Sequence, residues 1–429
     1  MKYDRISKEL FESNRKKLAQ KMTNDSIAIF FSNDQMPTNA DGTMPFKQNS
    51  DLLWLSGIDQ EESKLILHRN KNGELSEYLF LKETSELIAI WEGDKLTKDQ
   101  AYQTSGVKNV NWNASFEERL KELMNITSVV YLNSNEHSRS NSEVETQTDR
   151  LNSWCKETYS SKEYKKIAFD LHYLRSIKHK IEVELLQNAC NITEKGFRRV
   201  LKFIKPGVKE YEIEAEFMHE FLINRSKGFA YEPIIASGRN ACVLHYIENN
   251  QSCNEGEVVL MDVGAEYANY ASDMTRCIPV SGRFSERQKQ VYNSVLKVMK
   301  EATSMLTPGT MLSDYHKEVG LVMQSELLQL GLLDRHDIEK QEPLKPAYKK
   351  YFMHGTSHFL GLDVHDVGLV DRPIENGMVF TCEPGIYILE EKLGIRLEND
   401  LVINNNTPFD LMNNIPIESE EIEDLMNEK

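Results

Sequence analysis

The segment VVLMDVGAEYANYASDMTR (258–276) begins with an apolar run typical of a buried strand and, after a polar interruption, continues into a second strand-like run. Asp262 ends the first run and Asp273 lies at the start of the second. Residues that face each other in an antiparallel hairpin have position numbers with a constant sum. A turn near Tyr267 and Ala268 therefore predicts a hairpin in which Asp262 and Asp273 face each other and share one face.

A second segment repeats this arrangement. The apolar run MVFTCEPGIYIL (378–389) carries Glu383, and Glu398 follows at the matching distance beyond a predicted turn at Glu390 and Glu391. Like charges opposite each other in neighbouring strands destabilise a sheet. Four converging carboxylates therefore indicate a site for cations.

Each predicted hairpin follows a pair of predicted helices, which indicates an internal duplication. Apolar residues recur with helical spacing in IEVELLQNACNITEKGFRRVLKFI and EYEIEAEFMHEFLINRS, and again in QVYNSVLKVMKEATSMLTPG and MLSDYHKEVGLVMQSELLQLG. Pro206-Gly207 and Pro308-Gly309 occupy matching places in the two halves. Duplicated halves commonly place a site at their junction, where we expect the carboxylates.

The amino-terminal part of the chain has a different pattern. Strand-like runs alternate with helical ones, which is typical of a mixed α/β unit; the runs are SIAIFF, KLILHR, EYLFLK and SVVYLN, with FEERLKELM as a helix. We therefore predict an α/β (α+β) protein with an amino-terminal domain over residues 1–165 and a second domain over residues 175–429.

Composition and charge disfavour some binding partners and favour one cellular compartment. The 429 residues carry a formal net charge of −16, which disfavours binding to nucleic acid or to anionic membranes. Dispersed cysteines without a CxxC pair, and the lack of an apolar leader or membrane-spanning run, favour a cytoplasmic protein. Only the tail ESEEIEDLMNEK has a composition that favours disorder.

Three of the eleven histidines lie in HGTSHFLGLDVHDVG (354–368). The glycines favour a strand and a tight loop that line a cavity, and no Glu follows His354 as a helical HExxH zinc motif would require. Four carboxylates with one imidazole form an oxygen-rich ligand set that two divalent cations neutralise, preferably Mn²⁺, with Co²⁺, Fe²⁺ or Zn²⁺ as alternatives. Such a pair of ions suits the hydrolysis of an amide bond.

The assembled motifs resemble the aminopeptidase P (Xaa-Pro aminopeptidase) family of pita-bread metallopeptidases, to which prolidase and methionine aminopeptidase are related. The resemblance rests on LHY, LMDVGAEYANYASDMTR, HGTSHFLGLDVHDVG, TCEPGIY and GIRLEND, over residues 175–405. FKQNSDLLWLSGIDQEESKLIL also resembles the amino-terminal domain of that family. The resemblance implies a carboxy-terminal pita-bread domain.

It also implies roles for single residues. The metal ligands would be Asp262, Asp273, His358, Glu383 and Glu398, of which Asp273 and Glu398 would bridge both ions. Glu383 would also act as general base toward a hydroxide held between the ions, and His354 and His365 would contact substrate. His245 would line the proline-side pocket and Arg396 would brace Glu398 or the peptide; without the resemblance, a packed histidine and a surface ion pair are the expected roles.

The implied activity is removal of the N-terminal residue from peptides with proline at position two, by a homodimer or homotetramer. A prolidase restricted to dipeptides is the near alternative, although Ser357 is more typical of aminopeptidase P. A non-catalytic pita-bread binding module and a metal-free, creatinase-like hydrolase are remoter alternatives, because all five ligand positions are filled.

Overall fold

The computed structural model describes residues 2–342, 345–405 and 407–428. Its contacts divide the chain into a first unit, Asp4–Arg175, and a second unit formed by the chain from Ser176 onward together with the residues before Asp4. The limits 1–165 and 175–429 remain predictions. The expected mixture of helices and strands in each part is confirmed.

The first unit is a mixed sheet covered by helices. Its strands are β1 Ser26–Phe31, β2 Lys64–Arg69, β3 Leu75–Leu81, β4 Asn109–Trp112, β5 Val129–Leu132 and β6 Glu163–Lys166. Its helices are α1 Lys8–Lys21, α2 Ser50–Ser56, α3 Glu86–Glu92, α4 Lys98–Ser105, α5 Phe116–Ile126, α6 Gln147–Thr158 and α7 Ala168–Ser176, with a 3-10 turn at Asn113–Ser115. The predicted strands and the predicted helix FEERLKELM all fall on these elements.

The sheet has the order β4-β3-β2-β1-β5-β6. Strand β2 runs antiparallel to both of its neighbours, β1 and β3. The pairs β3-β4, β1-β5 and β5-β6 are parallel. Every residue of β1 is buried, as expected of the apolar run SIAIFF. Helix α5 covers one face, where Phe116 meets Phe31 and Phe80 edge to face at ring distances of 5.6 and 5.2 Å.

The second unit contains the duplicated pattern. Its helices are α8 Lys180–Phe203, α9 Glu210–Ile223, α10 Glu286–Met305, α11 Leu312–Gln329, α12 Arg335–Glu339 and α13 Ser419–Asn427. Its strands are β7 Ile234–Ser237, β8 Val258–Val263, β9 Glu266–Tyr267, β10 Tyr270–Ala271, β11 Met274–Pro279, β12 Val379–Cys382, β13 Gly385–Ile388, β14 Leu393–Arg396, β15 Asn399–Val402 and β16 Phe409–Asp410. Short 3-10 turns lie at Gly238–Cys242, Ala347–Lys350 and Leu389–Glu391.

The two helix pairs turn in the same way. Gly207 and Gly309 both have a positive φ, at 94° and 92°, which a side chain would disfavour. Each glycine directly follows a proline, in the loop that joins the two helices of a pair. The duplication predicted from the sequence is therefore visible in the backbone.

The second hairpin has the predicted register. Cys382 lies opposite Asn399, and Gly385 lies opposite Arg396. Both pairs belong to one register, in which Glu383 faces Glu398.

The register predicted for the first hairpin is wrong. Asp262 lies opposite Thr275, and the register places Asp273 opposite Gly264. The turn falls one residue later than predicted, on Ala268 and Asn269, whose φ angles of 54° and 69° are those of a type I′ turn. This turn contains no glycine, so its position had no clear signal in the sequence. The two aspartates are diagonal neighbours on one face instead of direct partners.

Two smaller expectations are also wrong. The segment from His354 to Gly368 is irregular, with a single β-bridge between Phe359 and Phe380 instead of a strand. The acidic tail forms α13, in which Ile422 is fully buried, because its apolar residues have helical spacing. Within the described residues, every helix is too short or too polar to cross a lipid bilayer.

Candidate metal centre

The four predicted carboxylates lie at strand ends where the two halves of the second unit meet. Asp262 is in β8, Asp273 directly precedes β11, Glu383 lies between β12 and β13, and Glu398 lies between β14 and β15. The backbone N–H of Glu398 donates to the carbonyl of Thr275 at 3.1 Å, which joins the halves at this point. The expected position at the junction is thus observed.

His358 directs its Nε2 toward these acids. Its Nδ1 lies 2.9 Å from the carbonyl oxygen of Phe359, which can only accept, so Nδ1 carries a proton. Nε2 lies 3.4 Å from Asp273 Oδ2 and 3.6 Å from Glu383 Oε1. A metal-binding histidine commonly donates one ring N–H to a carbonyl and offers its other nitrogen to the ion, and His358 has this arrangement, with Nε2 facing the carboxylates.

Three of the predicted ligands already satisfy the spacing of a metal site. One ligand atom each of Asp273, His358 and Glu398 lie within 4.8 Å of one another. Burial raises the pKa of Asp273 well above its ordinary value, and the charge of Asp262 adds to the effect. Burial and the charge of Asp273 likewise raise the pKa of Glu398. The charged forms of these carboxyl groups are therefore disfavoured in the metal-free protein, and divalent cations would stabilise them.

Glu383 completes the acidic side. Its backbone N–H donates to the carbonyl of Thr356 at 2.8 Å, which ties it to the histidine-bearing loop. Burial raises its pKa to about 7, against the attraction of His358 and Arg396. A carboxyl group with this pKa can both take up and release a proton near neutral pH.

His354 is held in a different way from His358. Its Nδ1 lies 2.7 Å from the carbonyl oxygen of Gly355, and its Nε2 lies 2.8 Å from the hydroxyl of Tyr387. Burial and the charge of Arg396 lower its pKa to about 3, so the ring is neutral and its contact with Glu383 at 3.5 Å is not an ion pair. The lone pair on Nε2 already accepts from Tyr387, which leaves His354 unsuited to bind metal.

Arg396 lies against a different acid from the one predicted. Its Nη2 donates to Asp262 at 2.5 Å, its Nη1 to the hydroxyl of Tyr387 at 2.8 Å, and its Nε to Thr275 Oγ1 at 3.0 Å. Glu398 is reached only through Thr275, whose hydroxyl donates to it at 2.6 Å. The expected brace is therefore indirect, and the surface ion pair is excluded because Arg396 is buried.

The remaining predicted histidines lie at the edge of the centre. The ring of His365 is exposed and meets the ring of His358 at 4.4 Å, nearly perpendicular to it. His245 is also exposed, in a turn after the 3-10 turn Gly238–Cys242, and its charge contributes to the low pKa of His354. The structure thus places His365 beside His358 and His245 within electrostatic reach of His354.

Sequence reasoning missed several residues that hold the carboxylates. The hydroxyl of Tyr231 donates toward both Asp262 and Asp273, at 2.7 and 2.6 Å. The fully buried Arg276 donates to the backbone carbonyl of Glu398 at 2.8 Å. Arg276 stands inside a motif that the sequence singled out, whereas nothing in the sequence distinguishes Tyr231 from other tyrosines.

The chain matches two family models. Residues 184–405 match the model of metallopeptidase family M24, and residues 11–131 match that of the aminopeptidase P N-terminal domain.

Whole-chain comparisons agree with these matches. The chain is 35% identical to an Xaa-Pro aminopeptidase of Haemophilus influenzae, over 99% of this chain and 98% of the relative. It is 32% identical to the Xaa-Pro aminopeptidase of Escherichia coli K12, over 98% of each. The solved zinc-substituted aminopeptidase P of Escherichia coli, in complex with product, superposes with a TM-score of 0.89 at 32% identity, over 99% of each chain.

Proposed function

Because this chain belongs to metallopeptidase family M24, we propose that it is an Xaa-Pro aminopeptidase, which hydrolyses the first peptide bond of peptides whose second residue is proline. The observation that carries the proposal is the convergence of Asp273 and Glu383 on Nε2 of His358. The full-length similarity to Xaa-Pro aminopeptidases supports the choice of substrate.

The centre would hold two divalent ions. The ligands proposed are Asp262, Asp273, His358, Glu383 and Glu398, with Asp273 and Glu398 shared between the ions. Four carboxylates and one imidazole suit Mn²⁺ best among the candidate metals. When bound, the ions would polarise the peptide carbonyl and lower the pKa of a water molecule.

Glu383 is proposed as the general base. Its carboxylate lies 3.6 Å from Nε2 of His358, within the proposed centre, where it can accept a proton from water and return one to the departing amine. His354 lies 3.5 Å from it, uncharged and oriented by the hydroxyl of Tyr387. Both of its ring nitrogens are already paired, with the carbonyl of Gly355 and the hydroxyl of Tyr387, so the neutral ring would contact the substrate without adding a cation to the site.

The substrate would bind on the histidine side of the centre. The substrate contacts proposed are His354, His365 and His245, of which His245 and His365 are exposed. The amide before proline lacks an N–H, so recognition of this bond cannot depend on that donor. Contacts to the ring and to the carbonyl have to replace it, and we assign the ring contact to His245.

We infer a homodimer or homotetramer in a cytoplasmic setting. Helix α3 exposes a group of large apolar side chains, Leu87, Ile90 and Trp91, which are 66–82% exposed. Such a patch favours association. The cysteines have free thiols, which fits a reducing compartment. Sedimentation analysis of the wild type and of Trp91→Ser tests the assembly, because a smaller species is expected for the variant.

Hydrolysis of the tripeptide Arg-Pro-Pro tests the activity. The chelated protein should be inactive and should regain activity with Mn²⁺, and Glu383→Gln should remain at least about 100-fold slower at saturating Mn²⁺. Equal activity with and without chelation would exclude the metal-dependent mechanism. Cleavage of the dipeptide Arg-Pro without cleavage of Arg-Pro-Pro would show a prolidase instead.

A further inference from the structure

A second carboxylate network lies outside the metal centre, around Glu210 at the start of α9. Glu210 is fully buried, yet its side chain faces only neutral hydrogen-bond donors among the contacts described. A buried carboxylate needs strong compensation for its lost hydration. The amino-terminal end of a helix provides part of it, because the helix dipole is positive there.

The donors come from one segment of chain. Oε1 accepts from the backbone N–H and the hydroxyl of Ser237, at 2.8 and 2.7 Å, and from the amide of Asn240 at 3.3 Å. Oε2 accepts from the hydroxyl of Tyr246 at 2.7 Å and from the backbone N–H of Gln251 at 2.9 Å. The two oxygens thus hold the two ends of the segment 237–251.

This segment carries His245, which directly precedes Tyr246. Between the 3-10 turn Gly238–Cys242 and the bridge at Ser252 the segment has turns but no strand or helix. The side chain of Tyr246 is buried while that of His245 is exposed, so the chain reverses its orientation between the two residues. The hydrogen bond from Tyr246 to Glu210 is therefore the anchor closest to His245.

We propose that Glu210 is a positioning residue for substrate recognition, which fixes the segment 237–251 and thereby sets the position of His245. The proposal rests on the proposed function, in which His245 contacts the proline side of the peptide. Glu210 does not touch the centre itself. Replacing Glu210 should therefore change the recognition of substrate, through a change in the position of His245.

Glu210→Gln tests the proposal. The amide keeps the size of the side chain but replaces one acceptor oxygen with a donor, so either the Ser237 end or the Tyr246 end loses its partner. We expect kcat/KM for Arg-Pro-Pro to fall by roughly 10- to 100-fold, the range that a displacement of about 1 Å costs, with most of the change in KM. Bound Mn²⁺ should stay at the wild-type level.

A double-mutant cycle separates positioning from a general structural role. If Glu210 acts through His245, Glu210→Gln should cause no further loss of kcat/KM in a His245→Ala background. Additive losses would overturn the proposal. Glu212→Gln is the matched control, because Glu212 lies in the same helix, is exposed and caps the N–H of Lys209; its kcat/KM should stay within about twofold of wild type.

Further outcomes are also decisive. If Glu210→Gln does not fold, Tyr246→Phe removes one donor and should show a smaller loss that again disappears in the His245→Ala background. A wild type that does not cleave Arg-Pro-Pro would refute the proposed function, and the Glu210 proposal with it. An active wild type whose His245→Ala variant is unimpaired would refute the Glu210 proposal alone.

Discussion

Asp262 and Asp273 share one hydrogen-bond partner, the hydroxyl of Tyr231, which lies 2.7 Å from the first carboxylate and 2.6 Å from the second. One hydroxyl has one proton, so it cannot satisfy both carboxylates at once. The tyrosine therefore links the two acids without neutralising both of them.

Tyr231→Phe should weaken metal binding. Removing a group that orients a metal ligand typically costs about 10- to 100-fold in affinity, and we expect a loss in this range for Mn²⁺. Calorimetric titration of the chelated protein measures it. Tyr164→Phe is the control, because Tyr164 belongs to the first unit and donates to the carbonyl of Cys155. Equal affinity in the wild type and in Tyr231→Phe would contradict the role assigned to this hydroxyl.

Removing a shared ligand and removing His354 should have different effects. Asp273→Ala or Glu398→Ala should abolish both metal content and activity, because each carboxylate is proposed to hold both ions. His354→Ala should keep its metal and lose turnover, since Nε2 of His354 already accepts from Tyr387. Elemental analysis of the purified variants distinguishes them. A His354→Ala protein without metal would show that the wrong histidine was assigned.

The metal-free protein should become less stable as the pH rises from about 4.5 to about 7. Glu383 ionises near 4.5 in the unfolded chain but near 7 in the folded protein, so the folded state binds more protons in this window and the free energy of unfolding falls with pH. Asp273 and Glu398, whose pKa values are also raised, act in the same direction.

Thermal unfolding of the chelated protein at pH 5, 6 and 7 measures this dependence. The melting temperature should fall across the series, and the increase caused by Mn²⁺ should grow, because fewer protons compete with the metal. Glu383→Gln should reduce the slope. A melting temperature that rises over this range would contradict the raised pKa.

The buried ion pair of Lys178 and Asp366 should contribute to stability. Lys178 Nζ lies 2.8 Å from Asp366 Oδ2, and both side chains are 1% exposed. Lys178→Met leaves the buried carboxylate without this partner and should cost about 3–5 kcal/mol of unfolding free energy. Urea denaturation measures the loss, which Lys178→Met/Asp366→Leu should largely restore. Equal losses in the single and the double variant would show that packing, not charge, is responsible.

The same pair supports the histidine loop. Asp366 follows His365 directly, and its carboxylate fills the space beside Gly361, where a Cβ would lie 2.1 Å from Oδ2. A glycine is needed here because of close contact with a side chain, not because of its backbone angles. The sequence showed the glycine but not the ion pair that requires it.

The sequence by itself determined the mixed α/β architecture, the duplicated helix pairs and the identity of the converging acids. The architecture and the helix pairs follow from the local periodicity of apolar residues. The acids follow from their places in strand-like runs and, in the second hairpin, from a register that the sequence predicts. It also separated His358 from His354, although only through the resemblance to a known family.

Only the tertiary structure decided the register of the first hairpin and the partners of the buried charges. A type I′ turn at Ala268 and Asn269 requires two positive φ angles, and without a glycine the sequence gives no clear signal for them. Arg396 contacts Asp262 instead of Glu398, and Tyr231 and Glu210 hold segments distant in the chain. Such contacts depend on side chains that meet only after the sheets have packed, so no local pattern could reveal them.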